Sequence, residues 1–326
     1  MLEPIPGREK ILIKDAFIER YKKLLGKDYD KFMDYSLAYI KKSIRINTLK
    51  AKISDVKKKL SVNWNLKQVP WCKEGFWVEY KNEKRFDIGN IPEHQLGQIY
   101  VQDAASMIPA IVLNPKPGDV VLDMCAAPGS KTTQIAQYMK NEGLLVSNDN
   151  QGKRLKALGL NTQRCGVSNC IVTHQQGHWF KKMAFDKILV DAPCSGTGTI
   201  RRSLKTLQMW SPHLVRKMAG IQKGLVEAAF MALKPGGVMV YSTCTQEPEE
   251  NEALVSWLLN RYPDASLEDI KLNINRSKAI TSFDDLKIRP EAEKCLRIYP
   301  FDNDTEGFFI AKIKKPQRRC VETNFF

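Results

Sequence analysis

From Val120 onward, short apolar runs alternate with longer segments of helical period. The runs at 120–124, 144–149, 170–174, 186–191 and 237–242 read as buried strands. Segments 131–141, 151–164, 214–233 and 247–261 place apolar residues every three to four positions and read as helices. Strands and helices in strict alternation predict an α/β fold: a doubly wound, mostly parallel sheet with helices on both faces. Within Cys295–Lys314, RIYPF and GFFIAKI predict two strands with a turn at Asp302–Gly307, closing one sheet edge as an antiparallel hairpin.

The first hundred residues follow another pattern. In 1–42, Ile11, Ala16, Phe17, Tyr21 and Leu24, then Phe32, Tyr35, Leu37, Tyr39 and Ile40, recur at helical spacing, with Gly26 as the break. Lysines 22, 23, 27, 31, 41 and 42 spread over their polar faces. Ser43–Leu49 alternates like a strand, Ile53–Leu60 is a short basic helix with Ser54 as candidate N-cap, and Leu66–Val69 and Gly75–Tyr80 are further strands. This is enough for a small α+β module resembling an RNA-recognition fold. Trp71, Phe76, Trp77 and Tyr80 would either stack on bases or form its core. The turn formers of Asn114–Asp119 put the boundary between about Gly97 and Gly118. The expected division is 1–42, 43–100, 101–316, and a frayed tail over 317–326.

The 326 residues carry a formal net charge of +15, with a pI near 9.4. That excess favours a polyanionic partner, nucleic acid before an anionic membrane. No apolar run is long enough for a transmembrane helix, and MLEPIPGREK lacks the apolar core of a secretory signal. A cytoplasmic protein is expected, with no obligate protein partner. The eight cysteines (72, 125, 165, 170, 194, 244, 295 and 320) form no C-x-x-C pair and are expected mostly in the core.

The chain is organised around VLDMCAAPGSKTT, Val121–Thr133. A buried strand ends at Asp123, a turn of small residues follows, and a helix begins near Lys131. This is the geometry of a nucleotide-type site at the first crossover of a doubly wound sheet. Both G-x-G-x-x-G and the P-loop pattern are missing, since Met124 stands where a P-loop needs glycine. A ligand with adenosine and no phosphate fits better, S-adenosylmethionine first. Asp149, at the end of the second strand, is placed to accept from ribose hydroxyls or to cap the next helix.

Two cysteines fall at the carboxyl ends of strands: Cys194 after Asp191-Ala192-Pro193, and Cys244 after Ser242-Thr243. A thiolate at that edge is a strong nucleophile beside cofactor and substrate. Carbon 5 of cytosine is too electron-poor to attack a methyl sulfonium, and a thiolate adding at carbon 6 makes it enamine-like. Asp191 is a candidate for the N3 contact, which would require it to carry or share a proton. The residues alone do not say which cysteine attacks.

DMCAAPGSKT, DAPCSGTGTIRR, YSTC followed by EENE, and DTEGFFIAK resemble the RNA cytosine-C5 methyltransferases of the Sun/Fmu group. RINTLK (Arg45–Lys50) and QDAASMIP (Gln102–Pro109) are similar to that family's N-terminal marks. The resemblance spans roughly residues 43–314 and implies a Rossmann-like class I methyltransferase with S-adenosylmethionine as cofactor. It also implies Cys244 as nucleophile, Cys194 as the cysteine that assists release, and Asp191 beside the cytosine. Cys125, Ala126, Ala127, Pro128, Gly129, Ser130 and Lys131 would form the cofactor loop, with Lys131 reaching the active site. Asp149 would bind ribose, with Arg154 nearby. Where the family commonly has an aspartate for the adenine amino group, this chain has Gln176, which accepts without charge.

Arg201 and Arg202 are candidates for phosphate contacts. The substrate would be tRNA or rRNA, tRNA favoured. A non-catalytic RNA-binding assembly factor and a DNA cytosine-C5 methyltransferase are the alternatives; the first has no need of the intact cysteine pair, and the second predicts Cys194 as nucleophile. Cys165, Cys170, His174 and His178 have metal-like spacing, but a straight strand does not turn four side chains to one centre, so no metal is expected.

Overall fold

The computed structural model describes residues 2–82 and 87–317. Cys320 and the expected frayed tail from 318 on lie outside the described residues. The main sheet contains β5 (Val120–Asp123), β6 (Leu144–Asn148), β7 (Cys170–Thr173), β8 (Phe185–Asp191), β9 (Leu233–Thr243), β10 (Ser266–Glu268) and β12 (Phe308–Lys314), with β11 (Leu296–Ile298) paired to β12. Its order is β10-β12-β9-β8-β5-β6-β7. The pairs β9–β8–β5–β6–β7 are parallel and those at β12 antiparallel. The order reverses direction at β5, so the crevice opens at the carboxyl end of that strand. The buried runs of β5 and β8 (Val121, Leu122, Ile188, Leu189, Val190) suit strands covered on both faces.

The expected C-terminal hairpin is a larger device. β12 is shared among β9, β10 and β11, and the connection from β11 holds a short helix at Pro300–Asn303. β10 carried too little alternation to be recognised in three residues.

The helices flanking the sheet are α6 (Ser130–Met139), α7 (Gly152–Cys165), α9 (Pro212–Ala232) and α10 (Glu252–Arg261). The segment expected as helix from 247 begins at 252. Residues 247–251 instead form a buried turn, in which Glu250, Asn251 and Glu247 each hold a different neighbouring loop. Among the described residues, no helix is long and apolar enough to cross a membrane.

The N-terminal sheet, β1 (Ser43–Ile46), β2 (Trp64–Gln68), β3 (Gly75–Tyr80) and β4 (Ile99–Val101), is antiparallel in the order β2-β3-β1-β4. Helix α3 (Ile53–Leu60) covers it with Val56 and Leu60. Its N-cap is Lys52, not Ser54, whose hydroxyl donates to Asp55 within the first turn. Phe76 is buried in the core of the module, and Tyr80, partly exposed, packs against it and meets Trp64 edge-on. Trp71 is buried in the core beside the main sheet, donates to Ala104 O at 2.8 Å and meets the partly exposed Trp77 edge-on.

Helices α1 (Asp15–Leu25) and α2 (Tyr29–Ser36), separated by a turn at Gly26, pack on the C-terminal half of the chain, against Ile200, Leu207, Trp210 and Tyr299. Phe17 and Tyr21 stack and Phe17 meets Trp210 edge-on. Arg20, Tyr21 and Trp210 all donate to the buried Glu247, at 2.8, 2.9 and 2.7 Å.

Candidate active site

A cleft of about 390 Å³ lies at the carboxyl ends of β5, β8 and β9. Its walls include Cys125, Ala126, Ala127, Pro128, Ser130 and Lys131 of the loop after β5, together with Asp123, Arg154, Asp191 and Cys244. Gly129 makes that loop possible. Its φ is +109°, and a Cβ there would stand 3.1 Å from Leu158 Cδ1 of α7. Ser130 then opens α6, so free backbone N–H groups and the positive helix end face the cleft.

Lys131 is the hub. Its Nζ donates to Asp191 Oδ2 at 2.7 Å and to Ser106 Oγ at 3.0 Å, and lies 5.2 Å from the centre of the Phe308 ring. Burial works against its charge, but attraction to Asp191 wins and raises its pKa. Lys131 therefore keeps its charge and is the donor of this pair. Asp191 Oδ1 accepts from Ser242 Oγ at 2.7 Å. Asp123 accepts from Thr132 at 2.7 Å, while its other oxygen is buried without a hydrogen-bond partner; burial pushes its carboxyl up to about 7.

The two cysteines meet with 3.3 Å between their sulfurs. Cys244 lines the cleft and Cys194 stands behind it. The hydrogen bond to Cys244, then burial, pushes the Cys194 thiol well above the ordinary range. Cys194 is thus held as a neutral thiol behind Cys244, the sulfur that faces the cleft.

Three loops are locked together here. Gly198 N donates to Cys244 O and Gly307 N donates to Gly198 O, both at 2.9 Å. A Cβ on Gly198 would meet Gly307 O at 2.3 Å and Cys244 O at 2.8 Å, so only glycine fits. Glu250 props the loop of Cys194, accepting from Ser195 N at 3.1 Å and from Gln222 at 2.7 Å, and burial pushes its carboxyl to about 7. Arg297 clamps Glu252 through two bonds of 2.7 and 2.6 Å, and donates to Gln246.

The remaining expectations divide. Asp149 is buried behind the lining: Oδ1 accepts from Gln151 N at 2.9 Å, and Oδ2 accepts from Ala127 N at 3.2 Å and pairs with Arg154 at 3.2 Å. It precedes α7 but does not cap it, because Gln151 occupies the N-cap. Gln176 is exposed, outside the cleft lining. Arg201 is not available to phosphate; it is buried, donating to Tyr39 O at 2.6 Å and paired with Asp304 at 2.9 Å, whereas Arg202 is largely exposed. Cys165 is buried, Cys170 meets Ser147, His174 meets Asn150 O, and His178 lies beside Trp179, four separate surroundings. Asp103, Ser106, Glu306 and Phe308 also line the cleft. They lie inside QDAASMIP and DTEGFFIAK, but nothing in the spacing alone marked them as site residues.

A doubly wound sheet with this loop and a cysteine pair at its carboxyl edge defines a Rossmann-like methyltransferase. Residues 110–314 match the family described as 16S rRNA methyltransferase RsmB/F, and residues 13–104 match the N-terminal domain of 16S rRNA methyltransferase RsmF. The chain belongs to the RsmB/F family of RNA methyltransferases. A tRNA (cytosine(49)-C(5))-methyltransferase of Pyrococcus abyssi is 45% identical, over 94% of this chain and 97% of its own length. Ribosomal RNA small subunit methyltransferase F of Escherichia coli is 40% identical over 95% of this chain, which spans 65% of that protein. A methyltransferase homolog from Pyrococcus horikoshii superposes with a TM-score of 0.84 at 38% identity, covering 94% of this chain and 97% of its own. NSun6 from the same organism, solved with SFG, gives 0.79 at 25% identity, covering 93% and 98%.

Proposed function

We propose that this enzyme methylates carbon 5 of cytosine in tRNA through a covalent adduct on Cys244, with S-adenosylmethionine as methyl donor. The observation that carries the reading is Cys244 on the cleft wall beside the Lys131–Asp191 pair, backed by Cys194 at 3.3 Å. The loop from Cys125 to Lys131, with Asp149 and Arg154, would hold the cofactor. The fit is supported by small side chains along that loop, free N–H groups at the start of α6, and the unpartnered oxygen of Asp123. Asp149 has about one acceptor site left for a ribose hydroxyl. SFG, bound in a relative's structure, is an analogue of that cofactor. When bound, S-adenosylmethionine supplies an electrophilic methyl group.

Cys244 Sγ adds to carbon 6, forming the S–C6 bond, and negative charge builds toward N3. Lys131, oriented by Asp191, donates to N3 and stabilises that charge. Carbon 5, now enamine-like, takes the methyl group. Water then takes the carbon 5 proton, the S–C6 bond breaks to release Cys244 as a thiolate, and N3 returns its hydrogen to Lys131, which restores the aromatic ring. Cys194, a neutral thiol, hydrogen-bonds the departing Cys244 thiolate and so assists release. The target base would be splayed out of its helix to enter the cleft, and the net charge of +15 supports contact with the RNA backbone.

tRNA is favoured because the resemblance to the Pyrococcus abyssi enzyme covers 94% of this chain and 97% of that enzyme. A ribosomal RNA substrate is the second reading, favoured by the family descriptions. Purified protein with labelled S-adenosylmethionine is offered total tRNA and, separately, 16S rRNA. Wild type is expected to form 5-methylcytosine in tRNA. Cys244→Ala should form none, and Cys194→Ala should accumulate a denaturant-stable protein–RNA adduct. Activity that survives in Cys244→Ala and dies in Cys194→Ala would reverse the roles of the cysteines.

A further inference from the structure

Addition at carbon 6 and methylation at carbon 5 are open to cytosine and uracil alike. The two bases differ at N3 and at position 4, where cytosine presents an amino donor and uracil a carbonyl acceptor. A cleft that selects cytosine therefore needs an uncommitted acceptor near the groups that meet N3.

Most polar groups lining the cleft are already committed. Asp191 takes Lys131 and Ser242, Ser106 Oγ takes Lys131, and Gln102 Oε1 takes Arg45 Nε at 2.9 Å. Thr199 Oγ1 donates to Gly196 O at 2.8 Å. Asp103 Oδ1 accepts from Ala105 N and Ser106 N at 2.8 and 3.4 Å, and its Oδ2 faces Glu306 N at 3.5 Å.

Besides Asp123, whose unpartnered oxygen is assigned above to the cofactor, Glu306 stands apart. It lines the cleft at only 3% exposure, and its Oε1 has no hydrogen-bond partner among the described residues. Arg202 Nε stands 2.9 Å away as a counter-ion without completing a hydrogen bond. A buried carboxylate oxygen left unsatisfied costs free energy that a substrate donor would recover.

We propose that Glu306 accepts a hydrogen bond from the exocyclic amino group of the target base, and so selects cytosine over uracil. This rests on the activity assigned above. With Glu306 ionised, as at a pH above 7, uracil would turn its position-4 oxygen toward a carboxylate, leaving both unpaired. The carboxyl of Glu306 also feels Lys131 and Asp191 across the cleft, in keeping with a base that spans all three; burial, then Asp103, raises it to about 7. Asp103 fixes the Glu306 backbone, and Arg202 balances its charge at the mouth.

The test uses the full-length protein and two transcripts of one tRNA, with cytosine or uracil at the position wild type modifies. kcat/KM is measured on each. Wild type should strongly prefer cytosine. In Glu306→Gln the amide can turn its donor to the uracil oxygen, so the preference should shrink about 10- to 100-fold. Glu306→Asp should be slower on both transcripts yet keep most of the preference. An unchanged ratio in Glu306→Gln overturns the proposal. So does an equal loss on both bases in Glu306→Gln when its thermal unfolding matches wild type, since that is a structural role. If wild type methylates cytosine in no RNA, the activity reading fails and this inference with it. An unchanged ratio in an active enzyme sinks the inference alone.

Discussion

Lys131 joins the loop after β5 to the carboxyl end of β8, because one ammonium is shared by Asp191 and Ser106 over the ring of Phe308. Lys131→Met keeps the length of the side chain and removes the charge. It leaves Asp191 with Ser242 as its remaining donor, and N3 without a proton source. kcat should fall about 10²- to 10⁴-fold, the range for a lost general acid, with a smaller effect on RNA affinity. An unchanged kcat in single-turnover assays would remove Lys131 from the chemistry. At this scale the sequence was most informative about placement, where a residue stands at a strand end. Asp191, Cys194, Cys244 and the loop from Cys125 are such residues. It was least informative where burial or long-range pairing decides. Arg201 looked like a surface cation in GTIRR, yet it fills the space under Tyr39 and Asp304. Gln176 looked like an adenine contact, yet it sits on the exposed side of its turn.

Among elements, the site is a junction of three loops, after β8, after β9 and before β12, joined at Gly198 and Gly307. Gly198→Ala places a methyl group against two carbonyl oxygens, at 2.3 and 2.8 Å, so the loops must separate. Neither oxygen belongs to a flexible side chain. The sulfurs of Cys194 and Cys244 and the carboxyl of Glu306 all ride on these loops. A misplacement of about 1 Å costs on the order of 10²-fold in rate. Activity should drop by that order while far-UV circular dichroism stays native; a fully active variant would show that the junction yields. Strands and helices of this domain were legible because their periodicity is local. The buried turn at 247–251 was not. Its pattern continues the apolar spacing of α10, while its backbone is set by Glu247 meeting Tyr21 and Trp210, and by Glu250 meeting Ser195 and Gln222. Those partners are far away in sequence, so no window around residue 250 contains the information.

At the scale of the whole molecule, the chain pays for its site with buried carboxyls, and that gives its stability a definite pH dependence. Burial first of all pushes Asp123, Glu250 and Glu306 up to about 7, from ordinary values of 3.8 and 4.5. Unfolded, these groups release their protons near pH 4; folded, they keep them until near pH 7. Between those limits the native state holds more protons than the unfolded state, so stability falls as pH rises. The slope is up to about 1.4 kcal/mol per pH unit for each proton fully retained. Two effects oppose it. His94 is lowered, by burial and then Arg164, and contributes stability that is lost as pH falls through 6.5 and below. The net charge of +15 also grows on acidification. At 0.15 M salt, however, surface repulsion is screened beyond about 8 Å, and the buried carboxyls are not. Without ligands, the urea midpoint should therefore decrease from pH 5.5 to pH 7.5. Glu250→Gln, which keeps the shape and removes the titration, should flatten that decrease. A midpoint that rises over this interval would mean that the buried carboxyls are ionised in the folded protein, and that charge repulsion governs its stability.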